Sequence, residues 1–277
     1  NVNVYCITAT PKKLFDVYKQ MNVFPIENTT TPNYHGWNDN DITLVDHLAG
    51  NDFVRHVLDE CAKELIVPGS KWFIPAGHTK KSHKAVKDIC VERGIATFIV
   101  NGEGIQLYFP NKTFHIFNKD EELNTLLKKI YKQYHLENYP VAITGNICIG
   151  RGISIVSEDF MFDCGILSLC HNQQEASQNS GRLKGNIKGF STYKPFKVFT
   201  TEQFDKVAKE WEKKSRGLAE LAFKRAEEGK STIITKNEFK TVGEDFEYIV
   251  HPELFSSYAN AQRFLVTIWL DTIATLI

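Results

Sequence analysis

The chain has no excess of charge: 33 Lys plus Arg stand against 33 Asp plus Glu in 277 residues. A balanced chain exerts no general pull on nucleic acid or anionic membrane, so any polyanion site has to come from local clustering. No run of 18 apolar residues occurs, so no membrane-spanning helix and no membrane partner are expected. No charged-then-apolar leader opens the chain. The six cysteines, Cys6, Cys61, Cys90, Cys148, Cys164 and Cys170, form no CxxC pair, and no spacing suits a zinc cage. The sequence therefore offers no metal site. Most of these cysteines lie in apolar runs, as buried free thiols do in a reducing, intracellular compartment. Internal repeats and low-complexity tracts are absent as well.

What is present is enough apolar material, 42% of residues, for a sizeable core. The opening "NVNVYCITATP" is strand-like from its first residues, and "RFLVTIWLDTIATLI" is apolar to the last. Both ends read as cuts in a longer protein.

Between them, strand and helix signals alternate. Asn3 to Thr8 is a β-rich run, and Thr10 with Pro11 suits the start of a helix to about Met21. Residues 28–40 are polar, with Pro32 and Gly36, and read as a loop or linker. Apolar residues at Phe53, Val54, Val57, Leu58, Cys61, Ala62 and Leu65 have the period of an amphipathic helix over 51–66. "KWFIPA" reads as a buried strand, Thr79 caps a helix to about Glu92, Gly94 closes it, and "IATFIV" is the next strand. Two aromatic runs around Pro110-Asn111 predict a hairpin, and 121–134 a helix. "PVAITG", "FMFDCGILSL" and "FKVFTT" read as strands, with a helix starting at Asn172 and carrying Glu175 at the capping-box position. A long charged helix over 203–228 has a narrow stripe of Val207, Trp211, Leu218, Leu221 and Ala222. Such alternation predicts a parallel α/β sheet.

One stretch raises a chemical question. In "AITGNICIGRGISI", Gly145, Gly150 and Gly152 fall within eight residues behind an apolar run. A phosphate-cradling P-loop needs G-x-x-x-x-G-K-[S/T], with Lys on the phosphates and a hydroxyl on magnesium. Here Arg151 and Gly152 stand in those places, and glycine has no side chain to ligate a metal. About thirty residues on comes "QNSGRLKGN", where Gln178 and Arg182 are four apart and project from one face of a helix. A planar, always-charged Arg is suited to a phosphate.

Taken in order, "TATP", "KWFIPAGHTKKSHKAV", "ITGNICIGRGISI" and "QNSGRLKGN" resemble motifs III, IV, V and VI of the superfamily 2 helicases, nucleic-acid-dependent ATPases built from two RecA-like domains. The resemblance covers Val4 to about Thr201. It implies a RecA-like three-layer α/β/α fold with a mainly parallel sheet, plus a helical C-terminal extension. Residues 1–40 would be the end of the first RecA-like domain and a linker, 41–201 the second domain, and 202–277 a mostly helical extension. The resemblance further implies coupling roles for Thr8, Ala9 and Thr10; nucleic-acid backbone contacts from Gly77, His78, Thr79, Lys80 and Thr144; an ATP-cleft position for Gly150, Gly152 and Ser154; and catalytic roles for Arg182, which faces the ATP phosphates, and Gln178. ATP and magnesium would be cofactors held mostly by the first domain. That domain's Walker A and DExx motifs would precede residue 1, so the chain alone is expected to be inactive. Partners would be DNA or RNA and the first RecA-like domain of the same protein.

The sequence departs from the family at two points. Ser154 replaces an acidic residue, and Gly185 falls where motif VI has its second arginine. Lys184 is adjacent but would point about 100° away on a helix. The glycine at 185 favours a second reading, a non-enzymatic nucleic-acid-binding module on a degenerate helicase fold. A third, a Rossmann-like nucleotide domain, lacks G-x-G-x-x-G near the start. Finally, 26 Lys against 7 Arg, with frequent Asn, suits an AT-rich genome such as that of a large virus or phage.

Overall fold

The computed structural model describes residues 12–24, 32–45, 49–118, 121–146, 156–168 and 173–243. In chain order the elements are α1 (Lys12–Val17), β1 (Gln20–Asn22), β2 (Tyr34–His35), β3 (Asp41–Leu44), α2 (Gly50–His56), β4 (Lys71–Phe73), α3 (Lys80–Val91), β5 (Ala96–Asn101), β6 (Gly104–Tyr108), β7 (Phe114–Phe117), α4 (Leu123–Gln133), β8 (Val141–Gly145), β9 (Cys164–Leu167), α5 (Gln173–Ser180), β10 (Gly185–Asn186), β11 (Lys197–Thr200), α6 (Glu202–Glu227), β12 (Ile233–Thr235) and α7 (Lys236–Thr241).

Eight strands form one sheet in the order β3-β11-β9-β4-β8-β5-β6-β7. Every pairing from β3 to β5 is parallel, and β5-β6-β7 is an antiparallel meander at one edge. The strands are short apolar runs because both faces are covered. Trp72, Ile74, Ala142, Cys164, Ile166 and Phe199 pack with Phe53, Val54 and Leu58 of the α2 region and with Val86, Ile89 and Cys90 of α3. The alternate residues Phe73, Ile143, Leu167 and Val198 pack with Leu127 and Ile130 of α4, Ala176 of α5, and Phe204 and Ala208 of α6. This is the α/β class expected, with the three layers and mainly parallel sheet of a RecA-like domain.

Local signals explain the clearest elements. Thr79 Oγ1 accepts the Ser82 amide at 3.1 Å and starts α3, and Gly94 at φ +79° ends it. Thr201 Oγ1 accepts the Phe204 amide at 3.2 Å and starts α6, whose 26 residues span about 39 Å.

Other elements differ from expectation. The helix from Pro11 ends at Val17, because Gln20–Asn22 pair with Ile233–Thr235. The helix over 51–66 widens into a π-type turn at Val57–Cys61 and finishes as a 3-10 turn at Lys63–Leu65. The charged helix packs on two cores. Beyond the sheet core, Trp211, Leu218 and Ala222 meet Phe15, Ile234, Phe239 and Val242, with Phe15 stacked on Phe239 at 4.3 Å. The C-terminal extension thus contributes a strand as well as helices. Residues 32–40, within the segment expected as a loop or linker, are docked. β2 pairs with β10, and Trp37 is fully buried with its indole Nε1 donating to Asp205 Oδ1 at 2.8 Å. Cys90 and Cys164 are buried free thiols, as expected, while Cys61 is only partly buried.

Candidate functional site

In an open α/β sheet, ligands bind beyond the carboxyl ends of the strands where connections depart to opposite faces. β4 meets that condition against β9. Its exit leads to α3 on one face. The β9 exit leads to α5 on the other, and Phe160 and Phe162 of the β8–β9 connection also pack on that second face.

The residues expected to touch nucleic acid at the β4 exit, Gly77, His78, Thr79 and Lys80, open this crevice. The Gly77 amide donates to Ser82 Oγ at 2.8 Å, and a Cβ on Gly77 would come within 3.1 Å of the same oxygen, so the turn is drawn tight. Lys80, Lys81, Lys84 and Lys87 follow on α3 before its first acid, Asp88. Lys80 pairs with Glu103. His78 is half exposed, with Nε2 3.7 Å from Glu175 Oε1. A helix N-terminus with free amides and these cations favours an anion.

Thr144 does not join them. It is fully buried in β8, and Oγ1 has no hydrogen-bond partner among the described residues. Strand alternation places it on the α3 face with Ala142, inside the sheet. Its side chain therefore lies inside the sheet and not on the surface of the crevice. Asn146, two residues on, does the polar work at the strand end. Its Nδ2 donates to Ala76 O at 2.7 Å and to Glu175 Oε1 at 3.0 Å. Both amide hydrogens are then used. Asn146 and Glu175 are buried. Neither was singled out for this from sequence; Glu175 was visible only as a helix-start acid.

Gln178 and Arg182 do not share one continuous α-helical face. α5 stops at Ser180 and tightens into a 3-10 turn over Gly181–Leu183. Leu183 anchors that turn by lying over Gly165 of β9, where an added Cβ would fall 2.4 Å from its Cδ1. Arg182 is partly buried, and that burial pushes its guanidinium pKa below the usual value. Charge held under such desolvation favours a bound anion. Arg182 follows Glu175 by seven residues, about 11 Å along α5 and the turn.

The glycine at 185 and the inward course of Lys184 both have structural causes. Gly185 adopts φ +143° at the start of β10, a conformation that L side chains rarely enter. The nearest atom to an added Cβ is 4.0 Å away, so backbone rather than space selects glycine. Lys184 does not take the missing arginine's place. Its Nζ turns inward to Glu212 Oε2 at 3.3 Å; burial pushes its pKa down and Glu212 opposes that.

Thr8, Ala9, Thr10, Gly150, Gly152 and Ser154 lie outside the described residues. Among the described residues no three His, Cys, Asp or Glu side chains group as a metal site, and no helix is long and apolar enough to cross a membrane.

No family model matches the chain, and no curated protein matches it. Eleven solved chains do. One is the crystal structure of the C-terminal part of the Fun30 ATPase domain, 13% identical, with a TM-score of 0.35, covering 57% of this chain and 44% of that one. The chain thus spans less than half of that neighbour, a likeness too slight to assign a family.

Proposed function

We propose that the chain is the C-terminal part of an ATP-dependent nucleic-acid helicase or translocase. One observation carries the reading. The basic N-terminal half of α3 and the start of α5 share the switch crevice, and α5 ends in the turn that holds the partly buried Arg182. Nucleic-acid phosphates bind at Gly77, His78, Thr79 and Lys80. Gln178 and Arg182 face the ATP phosphates across a cleft completed by the first RecA-like domain of the same protein. ATP would supply the transferable phosphoryl group, and magnesium would be held mostly by the first domain, with no ligand from the described residues.

Phosphoryl transfer asks a protein mainly for positioning and charge stabilisation. An arginine delivered only when the cleft closes ties ATP state to domain motion, and backbone contacts turn that motion into movement along a strand. The decisive measurement is ATP turnover by the full-length protein carrying Arg182→Ala. Loss of a transition-state charge contact lowers kcat by a factor of about 10². Wild-type turnover in the variant overturns the assignment.

A second reading, a nucleic-acid-binding module without turnover, is favoured by the glycine-only backbone at 185 and the engagement of Lys184 by Glu212. Oligonucleotide binding by the intact protein with no ATP hydrolysis decides for it.

A further inference from the structure

Glu175 lies where the nucleic-acid-facing loop, the end of β8 and the start of α5 meet. Its Oε1 accepts Asn146 Nδ2 at 3.0 Å and faces His78 Nε2 at 3.7 Å. The same Asn146 nitrogen donates to Ala76 O at 2.7 Å, and the Ala76 amide donates to Gly145 O at 2.8 Å, so β4 and β8 stay joined past their last ladder pairs. The asparagine amide cannot be turned round, because its carbonyl would then oppose two acceptors. A carboxylate with a 10% exposed side chain thus fixes the first turn of α5 to both strand ends.

We propose that Glu175 is a positioning residue that couples nucleic-acid binding at His78 to the placement of Arg182. This rests on the reading of the chain as a helicase part and adds to it the link between the two ligand sites. A phosphate at the start of α3 competes with Glu175 for His78. The carboxylate then shifts toward Asn146, and α5, a rigid helix ending in the Gly181–Leu183 turn, carries the shift to Arg182. Only a group touching both ends transmits such a bias, since coupling requires contacts that differ between two states. Glu175 acts through His78 and α5 and touches neither ATP nor nucleic acid.

The test uses the full-length protein, ATP, and a single-stranded oligonucleotide. Turnover is measured without and with saturating oligonucleotide for wild type, Glu175→Gln, His78→Ala and the double variant. Glu175→Gln keeps Asn146 a neighbour of similar shape and removes the charge that senses His78. The expected result is basal turnover close to wild type and stimulation reduced by about tenfold, within the range of measured site-to-site couplings. The double variant should be no worse than the poorer single one, because both changes cut one link. Two outcomes overturn the coupling alone: full stimulation in Glu175→Gln, or equal loss of basal and stimulated turnover at unchanged melting temperature. A wild-type protein that the oligonucleotide does not stimulate overturns the helicase reading and the coupling with it.

Discussion

Gly185 offers the sharpest test of why glycine, and not arginine, stands at this position. Its φ of +143° lies in a region that is open to glycine and strained for any L side chain. An added Cβ would have 4.0 Å of room to the Ile187 side chain, so crowding contributes almost nothing to the cost. The penalty of Gly185→Ala is therefore the backbone strain itself, about 1–3 kcal/mol. Relief of that strain by rotating φ would break the β10–β2 pairing, in which Gly185 stands opposite His35. That pairing is backed by buried bonds from His35 to Tyr193 and Asn40 at 2.9 and 2.8 Å, so relaxation is itself opposed. In a domain of this size each kcal/mol moves the melting temperature by about 2–4 °C. Gly185→Ala should therefore melt about 2–12 °C below wild type, and Gly185→Arg, which places the arginine that the helicase resemblance implies, no higher than Gly185→Ala. Gly102→Ala is the control, because Gly102 has no positive φ and no atom within 4 Å of an added Cβ. The assay is thermal unfolding followed by circular dichroism. A Gly185→Ala protein that melts with wild type refutes the argument. So does a Gly185→Arg protein that is stable and hydrolyses ATP faster.

Two further outcomes follow from contacts at the sheet face that Leu183 covers and at the C-terminal subcore. Gly165→Ala drives a methyl group into Leu183 and should destabilise by about 1–3 kcal/mol; adding Leu183→Ala should cost less than the sum of the single changes in denaturant unfolding, and strict additivity refutes the contact. The Glu238 carboxyl is held at about 2, first by the Thr235 hydroxyl, then by the Thr235 amide and Arg225. Its folded value is depressed, so its contribution is complete above the ordinary value of 4.5 and disappears as pH falls from there toward 2. Amide protection over 233–241, taken relative to the intrinsic exchange rate at each pH, should fall across that window, and Glu238→Gln, which weakens the capping box at the cost of about 1 kcal/mol, should flatten the dependence.

The elements legible in the sequence are those whose causes are local. α3 announces itself through Thr79, its apolar period and Gly94; the central parallel strands do so as apolar runs that both faces require. β1 and β12 are different. They are three residues each and pair across more than 200 positions, from Gln20 to Thr235, so neither carries a periodic signal of its own. β2 and β10 are two residues each and exist because Trp37 and His35 dock the segment against 183–204. Site residues divide the same way. Gly77 through Lys80 follow from a strand exit and a capped helix. Thr144 belongs to the expected strand but points to its buried face, and only the pleat and register settle that. Asn146 and Glu175 meet across 29 positions because β8 and β9 flank β4, a fact of topology with no trace in either residue's neighbours.

Lys184 shows how architecture has taken over a place where chemistry was expected. Its partner Glu212 also accepts the Trp37 amide at 2.9 Å and lies 3.6 Å from Arg216, and a Cβ on Gly36 would fall 2.6 Å from its Oε1. One carboxylate on α6 therefore fixes the 36–37 turn and the residue before Gly185 together. The side chains of Lys184 and Glu212 are only 10% and 17% exposed. Withdrawing Lys184 toward a phosphate would leave Glu212 charged and largely buried, and removing one partner of a buried pair costs about 3–5 kcal/mol. A contact to phosphate made by an exposed, flexible lysine does not offset that. The second cation that the helicase resemblance implies is thus not displaced by one position in this chain. The backbone at 185 excludes it, and the neighbouring lysine is committed to holding residues 36–37 on α6.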